Sequence, residues 1–405
     1  MSSESRVLSF LSRAIRALFV LAVVGAVGLA VAWRGSRPAE PCAFYVAPQQ
    51  RSTESGTLLR SEPFAKAVPA EARAWRILYT TTRADNSSAV GSAVVIASRR
   101  TVSGPRPVIA WAHGTTGIMP GCAPSVMANP FANVPGIDQL VGEDWVYVAT
   151  DYVGLGTTGG HAYLIGDDAA RSVLDSIRAA RQLPSINLDN RVVVWGHSQG
   201  GNSALWTGMR AADYAPDVNV LGIAALAPAT DLKALVASGQ SSMFGKIVSS
   251  YLVQAYSSAY PEIDADFYLK ARARQLAKDI ASRCVGGWGT LFSILETILL
   301  PSDGIFAHDP SGGPLGKRLL QNSPYGLIRT PVLIVQGQID DLVLPDVQRR
   351  FVAARCAAGQ PIDYRIYEGR DHLSLVAADS PLGVDLVSWT RDRLANAPAS
   401  ANCRQ

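Results

Sequence analysis

No C-x-x-C pair occurs in this 405-residue chain, and its five cysteines, Cys42, Cys122, Cys284, Cys356 and Cys403, lie far apart. That spacing gives no support to a zinc site or to thioredoxin-like redox chemistry. In an oxidising compartment an odd count allows two bridges and one leftover thiol, and spacing alone does not say which pairs form. Charge is scarce as well: 17% of residues are charged against 48% hydrophobic, which excludes a disordered chain. Five of the 37 basic residues and one of the 33 acidic residues fall within positions 1–38, which leaves 32 of each in the rest. A neutral body offers no basic face for nucleic acid. Internal repeats and low-complexity tracts are also missing, so a solenoid or fibrous architecture is excluded. Nothing in the residue pattern calls for a metal or a cofactor.

What is present at the N-terminus is an uncharged apolar run, Ala17 to Trp33, with Arg6, Arg13 and Arg16 before it and Arg34 and Arg37 after it. Seventeen helical residues rise about 25 Å, slightly less than the ~30 Å hydrocarbon core, and flanking arginines can snorkel across the difference. Ala30-Val31-Ala32 offers a small-residue cleavage site. Residues 1–38 are therefore expected to be an export signal or a membrane anchor. In either case the body, residues 39–405, lies outside the cytoplasm, secreted or held at the cell membrane.

Residues 34–60 look like a linker or extended arm, rich in Pro, Ser, Gln and Arg. Two strands, Trp75–Thr82 and Ala89–Ala97, form a hairpin across a polar turn. Short apolar runs follow at 107–112, 145–150, 191–195, 220–226, 331–335 and 362–367. Most are β-branched or aromatic, as strands buried on both faces require. Helical patterns at Asp168–Leu183, Ser203–Met209, Asp346–Ala358 and Leu382–Leu394 alternate with them. The expected fold is α/β, with a mainly parallel eight-stranded sheet. From Asp231 to Ser323 the pattern is helical without a clear strand. That marks a helical insertion at about 231–323 whose helices, such as Trp288–Leu300, are apolar on more than one side.

The strand Arg191-Val192-Val193-Val194-Trp195 runs directly into Gly196-His197-Ser198-Gln199-Gly200, and a helix follows. This is G-x-S-x-G in a strand–turn–helix setting, the nucleophile elbow of α/β-hydrolases. So tight a turn leaves no room for side chains at the glycine positions and forces the serine to the tip, above a helix N-terminus that favours negative charge. A serine hydroxyl needs a base, and in this fold the order is Ser, acid, His. Only two of the five histidines follow Ser198; His308 lies in the insertion, and His372 lies just after the last strand, where the base belongs. Asp340 and Asp341 compete for the acid after the 331–335 strand, with Asp340 favoured by the spacing Gly337-x-x-Asp340-x-x-Val343. The oxyanion donors are expected to be the backbone N–H of Gln199 and that of Thr115, in the loop His113-Gly114-Thr115-Thr116-Gly117, with Thr116 as its alternative. His113 and His161 are expected to be structural.

With these residues the sequence resembles the secretory lipases of the yeast lipase A type and their bacterial relatives. The likeness lies in His113–Gly117, Gly121-Cys122-Ala123-Pro124-Ser125, Asp151-Tyr152-Val153-Gly154-Leu155-Gly156, His161-Ala162-Tyr163-Leu164 and the helix around Leu174-Asp175. It covers residues 42 to 403. The resemblance implies that the insertion is a helical lid over the active site. It also implies disulfides Cys122–Cys284 and Cys356–Cys403, with no partner for Cys42. Leu344 departs from the family where Val-Pro is common, and Ala162 stands where proline is usual.

Function follows as an expectation: a serine hydrolase cleaving carboxylic esters, lipid-like ones foremost, through an acyl-enzyme. An acyltransferase would use the same triad, and a membrane-tethered binding protein without catalysis would keep only the fold. The intact serine, histidine and elbow glycines speak against the latter. The lid helices carry more apolar residues, among them Met243, Phe244, Leu291 and Leu295, than one packing face needs. Such a surplus marks either core or a surface for acyl chains and lipid.

Overall fold

The computed structural model describes residues 3–49, 52 and 54–403. Nine strands, β1 (Leu58–Phe64), β2 (Ala72–Thr82), β3 (Ser88–Ser98), β4 (Arg106–Ala112), β5 (Val146–Thr150), β6 (Leu188–His197), β7 (Asn219–Leu226), β8 (Val332–Gly337) and β9 (Ile362–Tyr367), form one sheet in the order β1-β2-β3-β5-β4-β6-β7-β8-β9. The first three strands and the β3–β5 pair are antiparallel; every pairing from β5 through β4 to β9 is parallel. The α/β class and the mainly parallel sheet agree with the sequence. The strand count does not: β1 lies where part of an extended arm was expected. Its residues include Arg60, Glu62 and Pro63, which a central strand would not tolerate, but β1 pairs only with β2 and is half-exposed. At an edge, a proline leaves no ladder bond unmade.

Alternation along the parallel strands builds two cores. Val108, Ala110, Val192 and Val194 face one side of the sheet; Ile109, Trp111, Val193 and Trp195 face the other. Helices α3 (Gly166–Ala180) and α4 (Gln199–Tyr214) cover the first side, and α2 (Ile137–Gly142) and α12 (Leu382–Leu394) the second. Each fully buried Val or Leu contributes roughly 1.5–3 kcal/mol, so a period-two pattern without polar breaks is stable only with both faces covered. Trp195 is fully buried, and its indole N–H is satisfied by Thr390 Oγ1 at 3.0 Å.

Between β7 and β8 the chain is helical: α5 (Leu232–Ser238), α6 (Met243–Ala259), α7 (Ala265–Tyr268), α8 (Arg274–Ala281), α9 (Gly287–Leu299) and α10 (Gly313–Gln321). Its strand-like pairing among the described residues is a single bridge, Leu269 with Phe306. These helices own a third core around Tyr251, Leu252, Tyr256, Ile280 and Leu315, which includes Tyr163 and Leu164 from the sheet domain's loops. Helix α11 (Pro345–Ala357) follows β8, and the N-terminal run lies in α1 (Ser3–Gly35). Both disulfides are formed, Cys122–Cys284 and Cys356–Cys403, and Cys42 is an exposed free thiol.

Candidate active site

The junction of β6 and α4 is compressed to the limit the backbone permits. A Cβ on Gly196 would stand 2.0 Å from the carbonyl oxygen of Gly200, and one on Gly200 would stand 1.8 Å from that of Ala112. No residue but glycine fits at either position. Ser198 itself adopts φ 57° and ψ −117°, outside the regions a side chain favours. Its backbone is held there by bonds on both sides: Ser198 N donates to Leu226 O at 2.9 Å, and Ala229 N donates to Ser198 O at 3.2 Å. The strain therefore rests on β7 and the turn after it, and the hydroxyl is left at the tip.

Three expected side chains meet in a line. Ser198 Oγ lies 2.8 Å from His372 Nε2, and His372 Nδ1 lies 2.8 Å from Asp340 Oδ2. Asp340 and His372 are buried. The second carboxylate oxygen of Asp340 accepts from the backbone N–H groups of Leu342 (3.0 Å) and Val343 (2.8 Å), and Gln336 Nε2 donates to Oδ2 at 3.0 Å. Four donors fix this carboxylate, while Asp341 is exposed and the hydrogen bond to His372 Nδ1 is made by Asp340. The loop carrying His372 is shaped by Asp371, whose Oδ1 accepts from Leu373 N and Ser374 N.

Two buried histidines outside the line support it. His197 Nε2 donates to the carbonyl oxygen of His372 at 2.9 Å, with the rings 4.7 Å apart. Burial, followed by the nearness of His372, pushes the His197 pKa down to about 3, so it stays a neutral, single donor. His161, expected to be structural, accepts from the side-chain amide of Gln199 at 3.0 Å, and its Nδ1 lies 3.2 Å from Val153 O. Burial pushes it down to about 3 as well. It therefore holds the side chain of the residue whose N–H is the expected oxyanion donor. His197 was visible in the sequence but had no evident partner there, because the carbonyl it binds is 175 residues away.

The other expected donor loop lies against the elbow. A Cβ on Gly114 would meet His197 O at 3.3 Å and Ser198 Cβ at 3.7 Å. Thr115 Oγ1 bonds Tyr163 OH at 2.7 Å, and Thr116 O accepts from Val285 N at 2.8 Å. His113 is buried among backbone carbonyls, Nδ1 2.7 Å from Gly114 O and Nε2 3.2 Å from Asp151 O, and its single N–H can serve one of them, a structural role. Asp151 accepts from Ser92 Oγ, Ser125 Oγ and Ser125 N, and burial raises its carboxyl to about 6. It pins the 123–126 segment beside Cys122.

The Cys122–Cys284 bridge ties this loop region to the helices after β7, across 162 residues. Closing so long a loop is worth on the order of 3–5 kcal/mol through the unfolded state. The double variant Cys122→Ala, Cys284→Ala is expected to lose a few kcal/mol in denaturant unfolding. Non-reducing peptide mapping of the parent should recover this link together with Cys356–Cys403. Any disulfide to Cys42 contradicts the pairing.

Sheet order, elbow and the Ser–His–Asp line together define an α/β-hydrolase. Comparison with known proteins places the chain more closely: it belongs to the secretory lipase family, whose model matches residues 132–402. It is similar to the secreted triacylglycerol lipase LIP2 of Malassezia globosa, 26% identical over 397 residues that cover 89% of this chain and 83% of that protein. It is also similar to a Mycobacterium tuberculosis protein named "Probable inactive lipase MT1628", 24% identical over 373 residues, covering 85% and 79%. Among solved structures, Candida antarctica lipase A in its closed state superposes with a TM-score of 0.74 at 19% identity, covering 90% of this chain and 89% of that one, a likeness of fold. The chain is a carboxylic ester hydrolase and an exported protein, its apolar N-terminal helix fitting an export signal.

Proposed function

We propose that this protein cleaves lipid-like carboxylic esters through an acyl-enzyme on Ser198. His372 Nε2 takes the hydroxyl proton as Oγ bonds the carbonyl carbon. Asp340 holds the imidazole by Nδ1 and stabilises its cationic form. The carbonyl oxygen gains the negative charge and is met by the N–H groups of Gln199 and Thr115. His372 then gives its proton to the departing alkoxide, the alcohol leaves, and water repeats the sequence to release the acid. The observation that carries this reading is the continuous line Ser198–His372–Asp340, each link 2.8 Å, with Ser198 on a strained turn. Family membership alone would not carry it, since one relative bears a name that denies activity.

The helices α5–α10 are read as a lid over this site, and residues 1–38 as the export signal or anchor. Under that lid, each buried methylene of an acyl chain is worth about 0.8 kcal/mol. Catalytic efficiency on p-nitrophenyl esters is therefore expected to rise by roughly tenfold or more from acetate to medium chains. A series in which acetate is fastest would make the protein a small-ester carboxylesterase whose α5–α10 segment packs only as core.

A further inference from the structure

Helix α9 is inside out. Its polar residues Ser293, Glu296 and Thr297 are buried, while Trp288, Leu291, Leu295, Ile298 and Leu299 face solvent, the last two 69% and 71% exposed. The exposed set recurs at three- and four-residue intervals, so it forms one continuous apolar ridge along the helix. A buried ion pair holds this orientation: Glu296 Oε2 accepts from Arg283 Nη1 at 2.5 Å. A helix that buries its charge and presents leucine and isoleucine is not arranged for water.

The ridge lies where α1 joins the body. Arg13–Gly35 of α1 is long and apolar enough to cross a bilayer, with a mean hydropathy of 2.4 and none of that apolar stretch buried in the body. Its last turn is seated on α9. Trp33 packs edge-on against Phe292, 5.4 Å between centroids, and the Arg283 guanidinium lies 4.4 Å over the Trp33 ring. Ser36, buried, accepts from Arg283 Nε at 3.2 Å. The next residues after Arg283 reach the active site: Cys284 is bridged to Cys122, and Val285 N bonds Thr116 O.

We propose that α9 is a bilayer seat: with α1 in the membrane, the ridge Trp288–Leu291–Leu295–Ile298–Leu299 lies in the outer lipid interface and sets the active site against its lipid substrate. The occupant is lipid because an apolar helix fit to cross a bilayer enters the body at this ridge, which puts the ridge at the membrane surface. Immersing an apolar ridge in the headgroup–acyl boundary is how amphipathic helices bind membranes. The substrate clause of this proposal rests on the function proposed above; the seat itself does not.

The test uses the full chain reconstituted in phosphatidylcholine–phosphatidylglycerol vesicles. In a Cys42→Ser background, an environment-sensitive fluorophore is placed at Leu295→Cys or, as a control, at Ser87→Cys in the exposed β2–β3 turn. The Leu295 label should shift to the blue and be quenched roughly twofold or more by nitroxide lipids, the Ser87 label not. Separately, Leu291→Gln, Leu295→Gln and Ile298→Gln are combined. Hydrolysis of 4-methylumbelliferyl oleate within the vesicles should fall about tenfold, and that of soluble p-nitrophenyl acetate should stay within about twofold. A Leu295 label that remains solvent-like, or a triple variant as fast as its parent on vesicle ester, overturns the seat. If even the parent fails to hydrolyse both esters, the function reading falls, and the fluorophore still decides the seat.

Discussion

Ser198→Ala is expected to lower turnover of any ester the protein cleaves by on the order of 10⁶, with unfolding unchanged. The expectation of intact folding comes from the backbone. Alanine meets the same penalty at φ 57° as serine does, and the bonds that hold the turn, to Leu226 O and from Ala229 N, are main-chain bonds. Only the Oγ–His372 bond is lost. Turnover within about tenfold of the parent would mean that catalysis does not pass through this hydroxyl. A lowered unfolding midpoint would mean that the hydroxyl also carries structure.

Asp340→Asn is expected to cost on the order of 10⁴ in kcat, and Asp341→Asn almost nothing. The geometry gives the reason. Leu342 N and Val343 N both point at Oδ1, so in the variant they hold the amide oxygen there and leave the NH2 at the Oδ2 position. That NH2 faces His372 Nδ1, which must then accept a hydrogen bond instead of donating one. The imidazole proton moves to Nε2, and the nitrogen that should receive the serine proton is already occupied. The same NH2 also confronts the donor Gln336 Nε2, so some loss of stability should accompany the loss of rate. Steady-state kinetics of both variants on one p-nitrophenyl ester check this. The reverse ranking would assign the acid to Asp341.

How much of this was legible in the sequence follows from how local each cause is. The elbow was legible because its pattern lies within five residues, two glycines flanking a serine between a strand and a helix, although the atoms that crowd Gly200 come from Ala112 on β4. The parallel strands were legible because both of their faces are buried and their composition shows it. Strand β1 was not, since an edge strand pairs on one side only and can carry Arg60, Glu62 and Pro63 without cost. The helical character between β7 and β8 was also readable, and so was the apolar surplus at Leu291 and Leu295. What remained hidden was its direction: that α9 buries Glu296 and exposes leucine depends on Arg283 and Trp33, which no periodicity reports. The roles of His161 and His197 were hidden for the same reason. Their partners, Gln199 and the carbonyl of His372, become neighbours only when β6, the His161 loop and the loop after β9 converge. Sequence distance, not chemistry, concealed them.

Whether Ser198 forms the covalent intermediate is decided by labelling with a fluorophosphonate followed by peptide mapping. A single adduct is expected on the peptide that contains Gly196-His197-Ser198-Gln199-Gly200, with ester hydrolysis lost in proportion to labelling and no adduct in Ser198→Ala. An adduct on another serine, or full labelling of Ser198 with hydrolysis intact, would mean that Ser198 is not the nucleophile.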